Sequence, residues 1–251
     1  MAAAYDTFDY PSYWIGREYE HRSEVIALKA FLSKIKRIKT ILEIGAGFGR
    51  LAPIYSYRAK RVILSDPSSK TLKVARNAFK DKKNFRFIHS SLENIPNKLR
   101  ASSVDLIIMI RVLHHIKDVN QAFDIICRTL KPGGYLIFEF ANKKNLKATM
   151  RNILKWNISF FGDKSTTDMR SLKSIRRGTI PFLNYHPEKI KSILDNFGFE
   201  VIEERSVSNI RSTFLKRIFS TDLLIFLERH MQTPFSFLDI GPSIFILAKK
   251  R

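Results

Sequence analysis

The pattern of apolar and polar positions divides the chain into two kinds of segment that alternate. Short apolar runs typical of buried strands occur at residues 41–44, 61–65, 85–89, 104–110, 135–140, 199–205 and 243–248. Apolar residues at helical spacing fill most of the intervals, at residues 13–35, 51–57, 71–79, 122–130 and 187–196. This order predicts an α/β fold with a seven-stranded, mostly parallel sheet flanked by helices. We expect the last strand to lie antiparallel beside the fifth.

Two helical segments fall outside this alternation. Residues 141–185 follow the fifth strand and carry an apolar stripe, formed by Leu146, Met150, Ile153, Leu154, Ile158 and Phe161. Basic residues recur on the flank of this stripe, at Lys147, Arg151 and Lys155. Residues 210–231 carry a second stripe. Because large apolar surfaces are rarely left exposed, we expect both stripes to face the sheet edge and each other, as a mobile lid over a pocket.

The first predicted strand leads into three glycines at alternate positions. Glu43 stands two residues before Gly45, and Gly47 and Gly49 follow. Glycine lets the backbone turn tightly and approach a ligand without interference from a Cβ atom. The second strand ends in Asp66, where a carboxylate can accept both hydroxyls of a ribose. The spacing differs from the Gly-x-Gly-x-x-Gly that is usual for dinucleotides, which disfavours a nicotinamide-dependent oxidoreductase.

The stretch from Thr40 to Arg50, together with Asp66, resembles motif I of the class I methyltransferases that use S-adenosylmethionine (SAM). Residues 104–118 resemble the fourth motif of that family. Another family hallmark is Leu130-Lys131-Pro132-Gly133-Gly134 followed by an apolar strand. The chain is therefore identified as similar to the methyltransferase type 11 members. The resemblance implies a three-layer Rossmann-like methyltransferase fold, SAM as the cofactor, and methyl transfer by in-line displacement.

The resemblance also implies which residues contact the cofactor. We expect contacts from Glu43, Gly45, Ala46, Gly47, Gly49, Asp66 and Pro67, with Met109 near the sulfonium. An adenine-binding acid of the family is replaced here by Ser91, so its oxygen or the Leu92 backbone would serve. Arg17, together with Tyr13 and Tyr19, could reach the methionine end. The alternative for these three residues is that they only pack their helix onto the sheet.

Candidates for acid-base chemistry are few. Methyl transfer has a good leaving group, so alignment and exclusion of water supply most of the catalysis. A base is needed only if the acceptor must lose a proton. His186 stands where relatives commonly have a Ser or Thr cap before the proline, and we consider His186 and the adjacent Tyr185 as candidate catalytic residues, with helix capping as the alternative for His186. His114 and His115 are expected to shape the cofactor pocket, without a metal.

Composition bears on partners and compartment. The net charge is +21, from 44 Lys and Arg against 23 Asp and Glu. This charge suits an anionic membrane surface or RNA, and a basic solvated surface is the alternative. The single cysteine, Cys127, excludes an internal disulfide and fits a reducing compartment. Residues 1–13 lack a secretory signal and no apolar run is long enough to span a membrane, so we predict a cytoplasmic protein, with peripheral membrane attachment left open.

We expect one domain over residues 1–251. Residues 1–38 would cover the cofactor, residues 39–140 would bind it, residues 141–185 would form the lid insertion, and residues 186–251 would complete the sheet around the insertion at 210–231. No base-flipping motif follows the fourth strand, which favours a small-molecule or lipid-like acceptor. The alternatives are an RNA methyltransferase, or a non-catalytic protein that binds SAM, RNA or lipid on the same fold.

Overall fold

The computed structural model describes residues 10–251. Its central sheet has seven strands, which are β1 (Ile38–Ile44), β2 (Ala59–Asp66), β3 (Phe85–His89), β4 (Val104–Met109), β5 (Leu130–Ala141), β8 (Phe199–Val207) and β9 (Ser243–Lys250). A separate two-stranded hairpin consists of β6 (Thr167–Asp168) and β7 (Leu183–Asn184). The predicted absence of a secretory signal concerns residues 1–13, most of which lie outside the described part of the chain.

Helices connect these strands on both faces of the sheet. They are α1 (Tyr10–Tyr13), α2 (Glu18–Ser33), α3 (Ala52–Tyr55), α4 (Ser69–Ala78), α5 (Val119–Thr129), α6 (Leu146–Leu154), α7 (Ser159–Gly162), α8 (Leu172–Arg176), α9 (Pro187–Asn196), α10 (Thr213–Ile218) and α11 (Thr221–Phe237). Short 3-10 helices occur at Ser56–Arg58, Leu92–Asn97 and Leu113–His115. Across residues 10–251, none of the helices has the length and apolar character that crossing a membrane requires.

The order of strands in the sheet is β3-β2-β1-β4-β5-β9-β8. The first five are parallel to one another, and β9 runs antiparallel between β5 and β8. This confirms the predicted seven-stranded sheet and the antiparallel last strand beside the fifth. Because β1, β2 and β4 are parallel neighbours, their carboxyl ends meet at one edge, and the order of connections reverses there between β1 and β4.

The core has two layers, one on each face of the sheet. Alternate residues of β4 point to opposite layers, as the pleat of a strand requires. Leu106 and Ile108 pack in the layer that contains α2, whereas Ile107 and Met109 pack in the layer that contains α5. All four side chains are fully buried, which explains why the sequence of β4 is almost continuously apolar.

The helix predicted over residues 210–231 is divided into α10 and α11. Two of the other predicted helices also differ from those in the structure. The segment predicted as one helix over residues 13–35 is divided into α1 and α2, and Gly16 with φ +74° lies between them. The helix predicted over residues 51–57 ends at Tyr55 and continues as a 3-10 turn. Both differences occur where the apolar spacing continues through a break in the backbone, which periodicity alone does not detect.

The predicted arrangement of the lid segments is wrong. The apolar stripe of α6 is exposed, with Met150 at 51% and Leu154 at 77%, and α11 exposes Phe226 at 60%. The physical reason is visible in α11, which buries three polar residues together with Leu224 and Ile225. Buried Glu228 accepts hydrogen bonds there from the Tyr19 hydroxyl and from the Ser208 amide. Hydrogen bonding of buried polar groups therefore sets the rotation of this helix, and the stripes face outward.

Candidate cofactor site

A cavity of about 310 Å³ lies at the carboxyl ends of β1, β2, β3 and β4. Each of these strands contributes the residues that follow it, which is the usual place for a ligand in such a sheet. Two parts of the wall come from elsewhere in the chain. Tyr10 belongs to α1, and Ile180 belongs to the segment that precedes β7. Within residues 10–251, the loops at this edge of the sheet therefore form most of the cavity wall, and α1 and the insertion at residues 141–185 complete it.

The glycine loop after β1 has the conformation that its spacing predicted. Gly45 and Gly49 have φ values of +70° and +79°, in the left-handed region that favours glycine. A Cβ atom on Gly45 would lie 2.3 Å from Val112 Cγ2, and one on Gly49 would lie 2.7 Å from Phe79 Cε2. Gly45 and Gly47 line the main cavity, whereas Gly49 does not. Gly49 allows close packing against α4 and the residue that ends it.

Asp66 lies where the sequence predicted, in the wall of the cavity after β2. Its Oδ2 accepts a hydrogen bond of 2.7 Å from the Gly47 amide, and its Oδ1 accepts one of 2.8 Å from the Ser68 amide. The Thr71 hydroxyl donates a further bond of 3.1 Å to Oδ1. Amides of two neighbouring loops therefore fix the orientation of this carboxylate. Pro67 lines the cavity beside it.

The loop after β3 forms the far wall of the cavity. Ser91 and Leu92 both line it, as predicted, and Ser91 Oγ accepts a hydrogen bond of 3.2 Å from Asn94 Nδ2. Glu93 lines the same wall and was not predicted. The sequence feature that could have identified Glu93 is its position, an acid two residues after Ser91.

A second, smaller cavity adjoins the glycine loop and is lined by Glu43, Ala46, Arg50 and Arg111. Glu43 is buried and its carboxylate accepts a hydrogen bond from the Tyr55 hydroxyl. Burial raises the pKa of Glu43 to about 7. The carboxyl group is thus poised to titrate near neutrality, at a position where a nearby cation would favour its ionised form.

Two arginines at this end of the site share one buried carboxylate. Glu24 of α2 accepts a hydrogen bond of 2.6 Å from Arg111 Nε and another from Arg50. Trp14 stacks on both cations, at 3.5 Å from its ring centroid to the Arg50 guanidinium carbon and 4.8 Å to that of Arg111. None of these four residues was predicted. Arg50 and Arg111 lie within stretches that resemble family motifs, whereas nothing in the local sequence marks Glu24.

Several residues predicted for the site lie elsewhere. The Arg17 guanidinium stacks on Tyr13 at 4.0 Å and does not line either cavity. The Tyr19 hydroxyl donates to Glu228 and accepts from the Ile210 amide, so Tyr19 joins α2 to α11 and packing is its role. Met109 points into the core layer with α5, and its neighbour Ile110 reaches the cavity instead. The reason is the alternation of side chains along β4.

The two candidate catalytic residues are occupied by structural hydrogen bonds. His186 is fully buried, its Nδ1 accepts from the Glu188 amide at 3.3 Å, and its Nε2 lies 3.2 Å from the Phe161 carbonyl oxygen. The Tyr185 hydroxyl donates to the carbonyl oxygens of Ile116 and Leu113, at 2.7 and 3.2 Å. Neither residue lines the cavity. In the structure His186 therefore caps α9, which was the alternative role considered for it. The Tyr185 hydroxyl holds the loop after β4 in place.

His115 is the histidine that the structure places in the cavity wall. Its Nδ1 lies 2.7 Å from the Pro181 carbonyl oxygen, so Nδ1 carries a proton and Nε2 is the basic nitrogen. Burial lowers the pKa of His115, and burial also lowers the pKa of adjacent His114 to about 3. Both rings are therefore neutral near pH 7. Among residues 10–251, no group of His, Cys, Asp and Glu side chains could hold a metal ion.

Residues 42–138 match the family model described as a methyltransferase domain. The chain is also similar to curated proteins. It is 27% identical over 190 residues to the ubiquinone/menaquinone biosynthesis C-methyltransferase UbiE of Idiomarina loihiensis, covering 70% of this chain and 72% of the relative. It is 27% identical over 166 residues to the human mitochondrial ubiquinone biosynthesis O-methyltransferase, covering 64% of this chain and 41% of that protein.

Solved structures share the fold at lower identity. The N-methyltransferase NodS of Bradyrhizobium japonicum, solved with S-adenosylhomocysteine, superposes with a TM-score of 0.60 at 17% identity, covering 98% of this chain and 94% of NodS. A SAM-dependent methyltransferase of Mesorhizobium loti gives a TM-score of 0.60 at 18% identity, covering 91% of this chain and 98% of that chain. These likenesses show that the fold is shared.

Proposed function

The chain belongs to the class I, Rossmann-like methyltransferases that use SAM, and we propose that its methyl acceptor is a small amphiphilic molecule of the lipid-like class. The observation that carries this proposal is the composition of the cavity wall beyond the glycine loop. Ile110, Val112, Ile116 and Ile180 line it, with His115 and Arg111 among them. A mainly apolar wall with few convergent polar groups suits an acceptor that is mostly apolar and carries a polar reactive atom.

The residues present fit the cofactor. We propose that Asp66 holds the ribose, because its carboxylate lines the cavity in a fixed orientation. Gly45 and Gly47 line the cavity and have positive φ values, so a ligand could contact their backbone. Ser91, Leu92 and Glu93 would surround the adenine. At the other end, Arg50 and Arg111 are suited to a carboxylate, and Glu43 is suited to a cationic amino group.

SAM supplies a methyl group activated by its sulfonium sulfur. The contribution of the protein is to align an acceptor and to exclude water. Tyr10 and Ile180 close the cavity from two sides, which supports the proposal that residues 1–38 and the insertion at 141–185 cover the site. For an acceptor that must lose a proton, we propose Nε2 of neutral His115 as the base, because His115 lies in the wall whereas His186 does not.

Two relatives are named for ubiquinone or menaquinone biosynthesis, and their names agree with an amphiphilic acceptor. The test is to incubate the protein with SAM labelled in its methyl group and with cell extract. We expect label to enter the organic phase on solvent extraction. Label that stays in the aqueous phase and becomes soluble in acid after ribonuclease treatment would identify RNA as the acceptor and would overturn the proposal.

The matched control for that experiment is Asp66→Ala, which should reduce labelling when SAM is below saturation. We expect this variant to bind SAM more weakly by about 1–3 kcal/mol, the range for loss of a buried hydrogen-bond partner. Calorimetry measures the affinity, and circular dichroism confirms that the variant is folded. Replacing the exposed Asp81 by Ala should change neither quantity. An unchanged SAM affinity in Asp66→Ala would mean that Asp66 is not the ribose ligand.

A further inference from the structure

Two helices of this protein bury polar side chains and expose large apolar ones. The buried side of α11 holds Glu228, Gln232 and Ser236 beside Leu224 and Ile225. Its outer side includes Phe226, which is 60% exposed, and Phe237, which is 87% exposed. A helix that packs on a protein core in water normally buries its largest apolar side chains. The outer side of α11 therefore has the character of a surface that contacts something apolar.

The helix α6 shows the same inversion. Asn152 is its buried residue, and its Nδ2 donates to the Ala148 carbonyl oxygen at 2.8 Å. The turn that follows α6 continues the exposed apolar side, because Trp156 is 87% exposed and Ile158 is 76% exposed. An exposed tryptophan beside exposed aliphatic side chains is a composition that suits a membrane interface.

The start of α6 is held next to the turn that follows α11. The Leu146 amide at the start of α6 donates to the Ile240 carbonyl oxygen at 2.7 Å, just after the end of α11. The Asn142 side chain donates to the carbonyl oxygens of Asp239 and Gly241, both at 2.7 Å. We call the resulting surface the outer apolar face, and its members are Leu146, Met150, Ile153, Leu154, Trp156, Ile158, Phe237 and Leu238.

The segment that carries most of the outer apolar face is strongly basic. Residues 143–177 contain two acids, Asp163 and Asp168, against ten bases, which are Lys143, Lys144, Lys147, Arg151, Lys155, Lys164, Arg170, Lys173, Arg176 and Arg177. The described ion pairs of this segment involve Lys143, Lys164 and Arg170. Lys147, Arg151 and Lys155 are exposed beside the apolar side chains and lie outside those pairs. Cations around an exposed apolar surface complement a partner that is apolar inside and anionic outside.

We propose that the outer apolar face docks on an anionic lipid bilayer. Its apolar side chains would enter the boundary between headgroups and acyl chains, while the three flanking cations contact anionic headgroups. The insertion at residues 141–185, which carries most of this face, also reaches the cofactor cavity. Ile180 lines the cavity, and the Pro181 carbonyl oxygen lies within hydrogen-bond distance of His115 Nδ1. Docking goes beyond the proposed methyl transfer and does not depend on it, so the two can fail separately.

The experiment measures binding of the full chain to vesicles by co-sedimentation and by Trp156 fluorescence. We expect binding to vesicles of phosphatidylcholine with phosphatidylserine, and much weaker binding to phosphatidylcholine alone. Brominated acyl chains should quench Trp156. The Trp156→Phe variant supplies the background from Trp14, which stacks on two arginines. SAM affinity, measured by calorimetry on the same preparation, should be unchanged by vesicles.

Substitution separates the apolar part from the electrostatic part. Leu154→Gln combined with Ile158→Gln should weaken vesicle binding by about tenfold or more, because two inserting side chains are lost. Both positions are exposed, so folding should be unaffected. The matched control is Tyr57→Gln, since Tyr57 is 73% exposed just after α3 and should leave vesicle binding unchanged.

The basic residues are tested in the same way. Replacing Lys147, Arg151 and Lys155 together by Gln should weaken binding to the anionic vesicles by about a hundredfold and remove most of its salt dependence. The control replaces three exposed lysines between α4 and β3 by Gln, namely Lys80, Lys82 and Lys83.

Four results would overturn the proposal. The first is a folded, SAM-binding protein that does not bind anionic vesicles. The second is vesicle binding that Leu154→Gln with Ile158→Gln leaves unchanged. The third is a dimer in light scattering that the same double variant dissociates, because the face would then be covered by a second copy of the chain. The fourth is binding to RNA through Lys147, Arg151 and Lys155 without binding to vesicles.

Discussion

Glu24 on α2 and Arg111 after β4 are 87 positions apart in the sequence, and their side chains meet at 2.6 Å between Oε1 and Nε. Burial alone would raise the pKa of Glu24, but Arg111 and Arg50 lower it below its ordinary value. Glu24 is therefore an ionised, buried carboxylate that holds two cations together. This contact joins the helix that precedes the sheet to the loop that follows its central strand.

We predict that Glu24→Gln lowers the free energy of unfolding by about 3 kcal/mol, because it leaves two partly buried arginines without their shared carboxylate. SAM affinity should fall as well, since Arg50 and Arg111 would lose their fixed positions. Urea denaturation and calorimetry measure the two effects. The control is Glu18→Gln, which removes an exposed ion pair with Arg22 and should cost less than about 1 kcal/mol. Equal effects of the two substitutions would contradict the role of Glu24.

A second prediction concerns the pH dependence of stability. Burial raises the pKa of Glu43 from 4.5 to about 7, so the folded protein keeps a proton that the unfolded chain releases between those pH values. The contribution of Glu43 to the free energy of unfolding should therefore be present below about pH 4.5 and be lost as the pH rises to about 7. The free energy of unfolding, measured with denaturant across this window, should fall more with rising pH in the unsubstituted protein than in Glu43→Gln.

His114 titrates with the opposite sign in part of the same window. Burial lowers its pKa from 6.5 to about 3, so its contribution falls as the pH is lowered from about 6.5 toward 3. Because His114 is present in both proteins, subtracting the Glu43→Gln curve removes its effect. If the two curves are parallel throughout the window, Glu43 does not carry a raised pKa.

Much of the fold was predictable because its signals are local. The strand β3 was predicted at the bounds it has, and β4 within one residue, since apolar runs between polar turns mark buried parallel strands. The glycine loop and Asp66 were placed correctly for a similar reason. The position of the loop depends on a backbone conformation that glycine favours, and the position of Asp66 depends on the end of a strand. Both are determined by one short stretch of sequence.

The rest depends on contacts between distant segments. Met109 and Ile110 are both apolar, and only the packing of β4 decides that Ile110 faces the cavity. Glu24 acquires its role from two arginines that lie far away in the sequence. The outward rotation of α11 is set by hydrogen bonds of Glu228 with Tyr19 and Ser208, whereas apolar periodicity predicted the opposite rotation. Periodicity identifies a helix and its stripe, and polar contacts inside the protein determine which side is buried.

A third prediction distinguishes two histidines. His115→Asn should lower turnover at saturating SAM by roughly 10²–10⁴-fold if the acceptor must lose a proton, while SAM affinity stays unchanged. His186→Asn should leave turnover of the folded protein unchanged and lower its melting temperature, because both ring nitrogens serve backbone groups. A loss of turnover in His186→Asn without a loss of stability would restore His186 as the candidate base.

The last prediction uses two glycines with nearly the same backbone conformation. Gly45 has φ +70° and Gly178 has φ +67°, so alanine should cost about 1–2 kcal/mol of backbone strain at either position. The surroundings differ. A Cβ atom on Gly45 would lie 2.3 Å from Val112 Cγ2, whereas one on Gly178 would have nothing within 4 Å. Gly45→Ala should therefore destabilise the protein by a further 1–3 kcal/mol or so, the usual range for overpacking.

The two variants should also differ in cofactor binding. Relief of the clash at Gly45 requires Val112 to move, and Gly45 and Val112 both line the cavity. Calorimetry should thus show weaker SAM binding for Gly45→Ala and an unchanged affinity for Gly178→Ala, which separates the local clash from general backbone strain. A third variant, Gly45→Ala with Val112→Ala, removes the atom that clashes. It should recover SAM affinity relative to Gly45→Ala alone. If it does not recover affinity, the glycine is required for a direct approach of the ligand to the backbone, and not for the contact with Val112.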